Sequence, residues 1–214
     1  MASPAYSAGF FPESGFVSRE TWDRLRVYAE LVRKWQPAIN LISPKTLPEL
    51  WDRHVLDSLQ LFRLRPDPLT WIDMGSGAGF PGLVTAICLQ DLGAGWVHLV
   101  ESNNKKAAFL RQVIAKTGAR ASVHALRMET MPGALTGIDA ISARALAPLS
   151  DLLEYAAPFA AENPALEMWF HKGLDYPGEV RSARDHWCFD LIEHRSLARD
   201  GSAILQISNL SKRN

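Results

Sequence analysis

The spacing of apolar residues along the chain changes near Leu69. Before that point, apolar side chains recur every three or four residues, which is typical of amphipathic helices. The first predicted helix is capped by Ser18 and ends before Pro37, and the second is capped by Thr46 and runs to about Phe62. After Leu69, short β-rich runs alternate with helical segments, which predicts a parallel sheet covered on both faces.

The predicted fold class is α/β, with a mostly parallel seven-stranded sheet, helices on both faces and an N-terminal helical extension. Strands are predicted at about residues 70–74, 96–101, 121–125, 138–143, 165–171, 187–194 and 202–208. Helices between them are predicted at about residues 81–90, 103–117, 148–156 and 176–184. A short polar turn at 198–201 separates the last two strands, which can therefore form an antiparallel hairpin. Residues 1–68 are predicted as a tail and helical extension, and residues 69–214 as one compact unit.

Composition narrows the class of protein. The 214 residues are 47% hydrophobic and 21% charged, enough for one sizeable core but not for two full domains. No apolar run approaches the roughly 20 residues that cross a bilayer, so we expect a cytoplasmic protein. Cys88 and Cys188 are interpreted as packing residues, with neither a disulfide nor a metal site predicted. Residues 1–17 resemble a loose tail whose aromatic residues could pack on the core.

Charge is balanced overall but uneven locally. The formal net charge is zero, which argues against a non-specific polyanion binder. Between Glu101 and Arg127, however, six basic residues face one acid. A nucleic-acid substrate at a restricted patch is compatible with this run, and so is a set of solvated helix faces.

A glycine-rich loop carries the strongest chemical signal. The predicted strand 70–74 leads into Gly75-Ser76-Gly77-Ala78-Gly79-Phe80-Pro81-Gly82, before a helix that Pro81 suits. Glycines there let the backbone turn tightly and approach a ligand, and free amides at the helix start can bind a polar group. Glu101 ends the next strand, where its carboxylate can accept the hydroxyls of a ribose.

Two ligands fit this loop. Residues 77–82 satisfy the G-x-G-x-x-G spacing of dinucleotide-binding folds, so an NAD-dependent oxidoreductase remains an alternative. Asp73 favours S-adenosylmethionine instead, because it gives the D-x-G-x-G-x-G pattern in which an acid lies near the methionine part of the ligand. The helical segment before the first strand is also common in methyltransferases.

The chain resembles the RsmG (GidB) family, bacterial methyltransferases that modify a guanine at N7 in 16S ribosomal RNA. The resemblance covers about residues 30–210 and depends on the following strings: Trp35 with Asn40-Leu41; Arg53-His54-Val55-Leu56-Asp57-Ser58; the loop 73–82; Glu101-Ser102 with Lys105 and Phe109-Leu110; Arg127-Met128-Glu129; Ser142-Ala143-Arg144-Ala145; Lys172-Gly173. It implies a Rossmann-like class I methyltransferase that uses S-adenosylmethionine. It also implies 16S ribosomal RNA or the small subunit as partner, and we expect a monomer.

The resemblance also implies site residues. Those for the cofactor are Gly75, Phe80, Met128, Glu129 and Arg144, which join the candidates from the loop and the next strand: Asp73, Gly77 and Glu101. Arg144 could face the cofactor carboxylate or an RNA phosphate, and Ala143 stands where the family often has an arginine. The candidates for RNA phosphates are Lys105, Lys106 and Arg127.

Guanine N7 carries an in-plane lone pair and no proton, so its methylation requires no general base. Placement of N7 against the methyl donor is what the protein must supply. The substrate-side candidates are His54, Asp57, Arg144 and Lys172.

Each candidate also has a structural interpretation. His54 and Asp57 could form a hydrogen-bonded pair, Arg53 could pair with Asp57 across one helical turn, and Lys172 could be a phosphate-facing lysine in a turn. An aromatic stripe could stack on bases, but its helical spacing favours core packing: Trp22, Tyr28 and Trp35.

Two further alternatives for the function of the protein are a methyltransferase of another substrate class, small molecule or protein, and a non-catalytic binding module.

Overall fold

A computed structural model describes residues 16–213. The helices are α1 (Arg19–Ile39), α2 (Asp57–Leu64), α3 (Gly82–Leu92), α4 (Asn104–Thr117), α5 (Leu149–Glu162) and α6 (Tyr176–Arg184). The strands are β1 (Thr70–Met74), β2 (Trp96–Val100), β3 (Ala121–His124), β4 (Ala140–Arg144), β5 (Glu167–Lys172), β6 (Trp187–Arg195) and β7 (Ala203–Lys212). The predicted tail of residues 1–17 lies largely outside the described residues, although the Phe16 ring lies 5.9 Å from that of Phe62.

The sheet has the order β3-β2-β1-β4-β5-β7-β6. Strands β1 to β5 pair in parallel, whereas β7 is antiparallel to both β5 and β6. The predicted fold class and the closing hairpin are therefore confirmed. An antiparallel strand between the fifth and sixth positions also departs from the 3-2-1-4-5-6 order of dinucleotide-binding sheets.

The predicted end of the first helix was wrong. Helix α1 continues through Pro37 to Ile39 and ends at Asn40, which has a left-handed backbone. Proline removes one backbone hydrogen bond from a helix, and the side chain of Gln36 offsets this loss. Its amide accepts from Ile42 N at 3.0 Å and donates to Ile42 O at 2.6 Å.

The second helix was predicted as one piece and is in fact three. Thr46 does not cap it but ends a short 3₁₀ helix, and a π-helical turn (Trp51–Leu56) precedes α2. In this turn the Asp57 amide donates to His54 O. The carbonyl of Arg53 accepts a hydrogen bond from Arg144 at 3.1 Å, so the irregular turn serves a contact across the fold.

The core has two parts, one on each face of the sheet. The N-terminal helices share the first with α3 and α4, and Tyr28 of α1 is fully buried there. Trp22 and Trp35 are partly buried against the same cluster, which confirms core packing for the aromatic stripe. Cys88 is buried, but Cys188 is exposed, so its interpretation as a packing residue was wrong. Within residues 16–213, no helix is both long and apolar enough to span a membrane.

Candidate active site

A cavity of about 1040 Å³ lies where the carboxyl ends of the parallel strands meet. Ligands of open α/β sheets bind in this position, and the volume lies at the upper end of ligand sites, which span about 300 to 1000 Å³. The lining includes most of the predicted residues: His54, Asp57, Gly75, Gly77, Phe80, Glu101, Lys106, Arg127, Met128, Glu129, Arg144 and Lys172. Asp73 and Lys105 are outside it.

The glycine loop connects β1 to α3 and takes part in bonds within the protein. Gly77 has a φ of 55°, a left-handed conformation that glycine adopts without strain. Its amide donates to Glu101 Oε2 at 2.9 Å, and those of Ser76 and Gly79 donate to Val100 O and Ser76 O. These three loop amides are therefore engaged within the protein, and at the helix start the Leu83 amide donates to Gly79 O at 2.7 Å.

Glu101 is held in place by two backbone amides. Besides Gly77 N, the amide of Asn103 donates to Glu101 Oε1 at 2.7 Å. A carboxylate offers about four acceptor positions, so both oxygens keep capacity for ribose hydroxyls. The residues present fit the adenosine end of S-adenosylmethionine, because this fixed carboxylate and Met128 line one cavity.

The side chain of Asp73 lies near the end of β1 and packs against the start of α3. Its side chain is 1% exposed, and Oδ1 accepts from the Ser142 hydroxyl on β4 at 2.7 Å. A Cβ added at Gly82 would lie 2.6 Å from Asp73 Oδ2, so the first residue of α3 packs directly on this carboxyl. Asp73 thus supports the start of α3, and its predicted contact with the methionine part of the cofactor stays a prediction.

Burial raises the pKa of Asp73 to about 6, despite the opposing hydrogen bonds from Ser142 and Ser76. An acid with a folded pKa above its unfolded value of 3.8 loses its proton first in the unfolded chain, so stability falls as pH rises through about 4 to 6. We expect Asp73→Asn to remove about 2 to 3 kcal/mol of this fall. Urea unfolding at pH 4 and pH 7 measures it. The exposed Asp185→Asn is the matched control, and a wild-type pH dependence in Asp73→Asn would contradict the assignment.

Arg144 ends β4 and joins three groups from the N-terminal helices. Its Nη1 donates to Arg53 O at 3.1 Å and lies 3.5 Å from Asp57 Oδ2, and its Nη2 contacts His54 Nδ1. The guanidinium carbon lies 5.2 Å from the centre of the Phe80 ring. The Arg144 side chain is 16% exposed, and within residues 16–213 the carboxylate that it contacts, Asp57, lies at 3.5 Å, an arrangement that favours a bound anion.

His54 is a neutral link in this network. Burial, and secondarily the Arg144 charge, lowers its pKa to about 3. Because Arg144 can only donate, His54 Nδ1 accepts and Nε2 donates to Thr46 Oγ1 at 3.0 Å. With both ring nitrogens engaged, His54 organises the site rather than accepting a proton. The predicted pairing of Arg53 with Asp57 was wrong, since Arg53 pairs with Glu49 at 3.2 Å.

Lys172 at the end of β5 is 7% exposed in its side chain and has two partners. Its Nζ donates to Ala147 O at 2.7 Å and to Glu179 Oε2 at 2.6 Å, and the same carboxylate oxygen accepts from Leu149 N at 2.7 Å. The loop after β4 is fixed by these bonds. Lys172 therefore holds this loop, and its predicted contact with a substrate phosphate stays a prediction.

Removal of the Lys172 charge should be costly, because a buried ion pair that loses one partner leaves the other uncompensated. We expect Lys172→Met to lower the free energy of unfolding by about 2 to 3 kcal/mol. Lys212→Met is the control, since Lys212 pairs with Glu154 at 67% and 60% exposure, where a change below about 1 kcal/mol is expected. Equal losses in both variants, measured by chemical denaturation, would show that burial of the Lys172 pair contributes nothing.

Two contacts of the site carry no signal in the local sequence. The hydroxyl of Tyr28, a core residue of α1, donates to Ala78 O in the glycine loop at 2.5 Å. His171, beside Arg144 on the next strand, lines the cavity, and its Nε2 donates to Asp57 O at 3.2 Å. Both contacts join segments at least 50 residues apart, so no motif or periodicity could indicate them.

The fold and this site together define a class I methyltransferase of the S-adenosylmethionine-dependent kind. The chain belongs to the family described as GidB, rRNA small subunit methyltransferase G, whose family model matches residues 21–206. A relative from Rhizobium meliloti, named ribosomal RNA small subunit methyltransferase G, is 56% identical over 92% of this chain and 93% of its own. One of the same name from Sinorhizobium fredii is 54% identical over 92% of each chain.

Solved structures show the same fold at low sequence identity. A variant of MtNAS in complex with S-adenosylmethionine superposes with a TM-score of 0.58, at 13% identity, over 88% of this chain and 76% of that chain. A precorrin-6y methyltransferase from Geobacter metallireducens gives 0.52, at 14% identity, over 79% and 90%. The family and fold confirm the methyltransferase interpretation over the NAD-dependent oxidoreductase.

Proposed function

We propose that the protein transfers the methyl group of S-adenosylmethionine to N7 of a guanine in 16S ribosomal RNA. The observation that carries the proposal is the match with ribosomal RNA small subunit methyltransferases over 92% of the chain. The choice of N7 is supported by the site itself. The ring nitrogens of His54, the carboxylate of Asp57 and the ammonium group of Lys172 all have partners within the protein, and N7 has no proton to remove.

The cofactor's place follows from the fixed groups. Glu101 accepts the ribose hydroxyls, Met128 provides a soft apolar surface for the adenine ring, and Arg144 binds the methionine carboxylate through charge-assisted hydrogen bonds. When bound, S-adenosylmethionine supplies the sulfonium methyl group. The task of the chain is to hold both reactants in line in a site that excludes water. A guanine reaches such a site only from an unpaired or flipped position.

Methyl transfer from tritiated S-adenosylmethionine tests the proposal. The acceptors are 16S RNA transcripts, small ribosomal subunits and a protein fraction, and nucleoside mass spectrometry of the labelled RNA identifies the product. We expect 7-methylguanosine in RNA. Labelled protein with unlabelled RNA would contradict the proposal in favour of another substrate class, and cofactor binding without transfer to any acceptor would indicate a binding module.

A further inference from the structure

The two halves of the cavity have different tasks. The groups proposed to hold the adenosine end, Glu101 and Met128, follow β2 and β3. Strands β4, β5 and β7 lie on the other side of β1 in the sheet. The methyl acceptor must therefore approach over β4, β5 and β7, and we call this part the acceptor half.

The turn between β6 and β7, residues 196–202, lines the acceptor half. Helix α2 holds it with two buried polar side chains. Gln60 Nε2 donates to Arg195 O at 2.7 Å and Gln60 Oε1 accepts from Leu197 N at 2.9 Å. Asp57 Oδ1 accepts from the Ser196 hydroxyl at 2.8 Å. Because Asp57 also faces Arg144, the turn is held in register with the cofactor site.

Most cations of the acceptor half already have partners. Lys172 is bonded internally, Arg53 pairs with Glu49, and Arg144 contacts Asp57 and is assigned to the cofactor carboxylate. At the end of β6, Arg195 pairs with Asp200 of the turn at 2.5 Å. Arg199 differs, since it is exposed and lines the cavity, and its guanidinium group has no hydrogen-bond or ion-pair partner in the part of the chain that the structure describes.

We propose that the turn 196–202 is an RNA-contacting surface, in which Arg199 binds a phosphate next to the target guanine. The inference deepens the proposed function and depends on it. A guanidinium matches the geometry of phosphate oxygens, and phosphate contacts set the register of a nucleic acid. A turn anchored by Gln60 and Asp57 loses little conformational freedom when it binds, so Arg199 can position the nucleotide as well as attract it. The nearby Asp200 carboxylate is paired with Arg195.

The test compares Arg199→Gln with Arg181→Gln. Arg181 is an exposed arginine of α6 outside the cavity, so both variants lose the same charge. RNA affinity is measured by filter binding from about 50 to 300 mM salt with a 16S RNA fragment that the wild type methylates. We expect Arg199→Gln to bind RNA about 3- to 10-fold more weakly and to lower the log–log salt slope by about 0.7, the value for one phosphate contact on a single strand. Binding of S-adenosylhomocysteine should not change.

Unchanged RNA affinity and slope in Arg199→Gln would overturn the inference, as would equal losses in both variants. These results differ from a failure of the proposed function. If the wild type methylates the RNA while Arg199→Gln binds it normally, this inference alone is wrong. A wild-type protein that transfers no methyl group to RNA overturns the proposed function as well.

Discussion

Gly77→Asp should weaken the binding of S-adenosylhomocysteine at least tenfold, or about 1.4 kcal/mol. At a φ of 55°, any side chain strains the loop. The added carboxylate would also stand beside that of Glu101, whose Oε2 is only 2.9 Å from Gly77 N. Two like charges so close would displace the group proposed to hold the ribose. Calorimetric titration measures the affinity.

Gly137→Asp separates this effect from backbone strain. Gly137 has a φ of 67°, and a Cβ there would meet nothing within 4 Å. It is exposed, and it precedes β4 at the end of the strand remote from the cavity. We expect similar loss of thermal stability in the two variants but normal cofactor affinity in Gly137→Asp. Unchanged affinity in Gly77→Asp would mean that the cofactor binds elsewhere.

Arg144→Gln should lower the rate of methyl transfer by about 100-fold or more, the size of effect typical for a charge-assisted contact in an enclosed site. Glutamine can still donate a hydrogen bond toward Arg53 O, but it brings no charge to Asp57 or to a bound carboxylate. Single-turnover kinetics with saturating RNA measures the loss. Arg144→Lys, which keeps the charge but not the forked geometry, should lose less.

A ligand comparison shows which anion Arg144 binds. S-Adenosylhomocysteine carries a carboxylate, whereas 5′-methylthioadenosine lacks the whole amino-acid part. If Arg144 holds the cofactor carboxylate, Arg144→Gln weakens binding of the first ligand and leaves the second unchanged. Equal changes for both ligands would show that Arg144 affects cofactor binding indirectly, through its contacts with Phe80 and His54. Normal methyl transfer by Arg144→Gln would show that Arg144 is not part of the site.

The sequence was informative where one local pattern determines the backbone. The glycine loop, the strand before it and Glu101 after it were predicted in place. The antiparallel hairpin of β6 and β7 followed from its short polar turn. The predicted boundaries were wrong where a side-chain contact outweighs the local preference of the backbone. In α1, for example, the bonds of the Gln36 side chain to Ile42 offset the effect of Pro37. In the second helix, the side chain of Arg144 donates a hydrogen bond to the carbonyl of Arg53, which lies in the irregular π-helical turn.

The contacts of single side chains were likewise not predictable from local sequence. Asp73 and Lys172 were predicted to face ligands because acids before glycine loops and lysines after strands often do, yet both are buried and bonded within the protein. In the sequence, nothing distinguishes Arg199 from any other arginine in a polar turn. Only its place on the cavity wall, beside cations that already have partners, distinguishes it.

Sequence by itself thus determined the succession of strands and helices and the position of the glycine loop, because these depend on hydrophobic periodicity and on the backbone freedom of particular glycines. Its motifs indicated the family by resemblance. Tertiary structure alone decided which charges remain available to ligands. Asp57 meets Ser196 across 139 residues and Arg144 across 87. Such pairings depend on how helices pack on the finished sheet, and this packing leaves Arg144 with a carboxylate only at 3.5 Å and the Arg199 guanidinium exposed on the cavity wall.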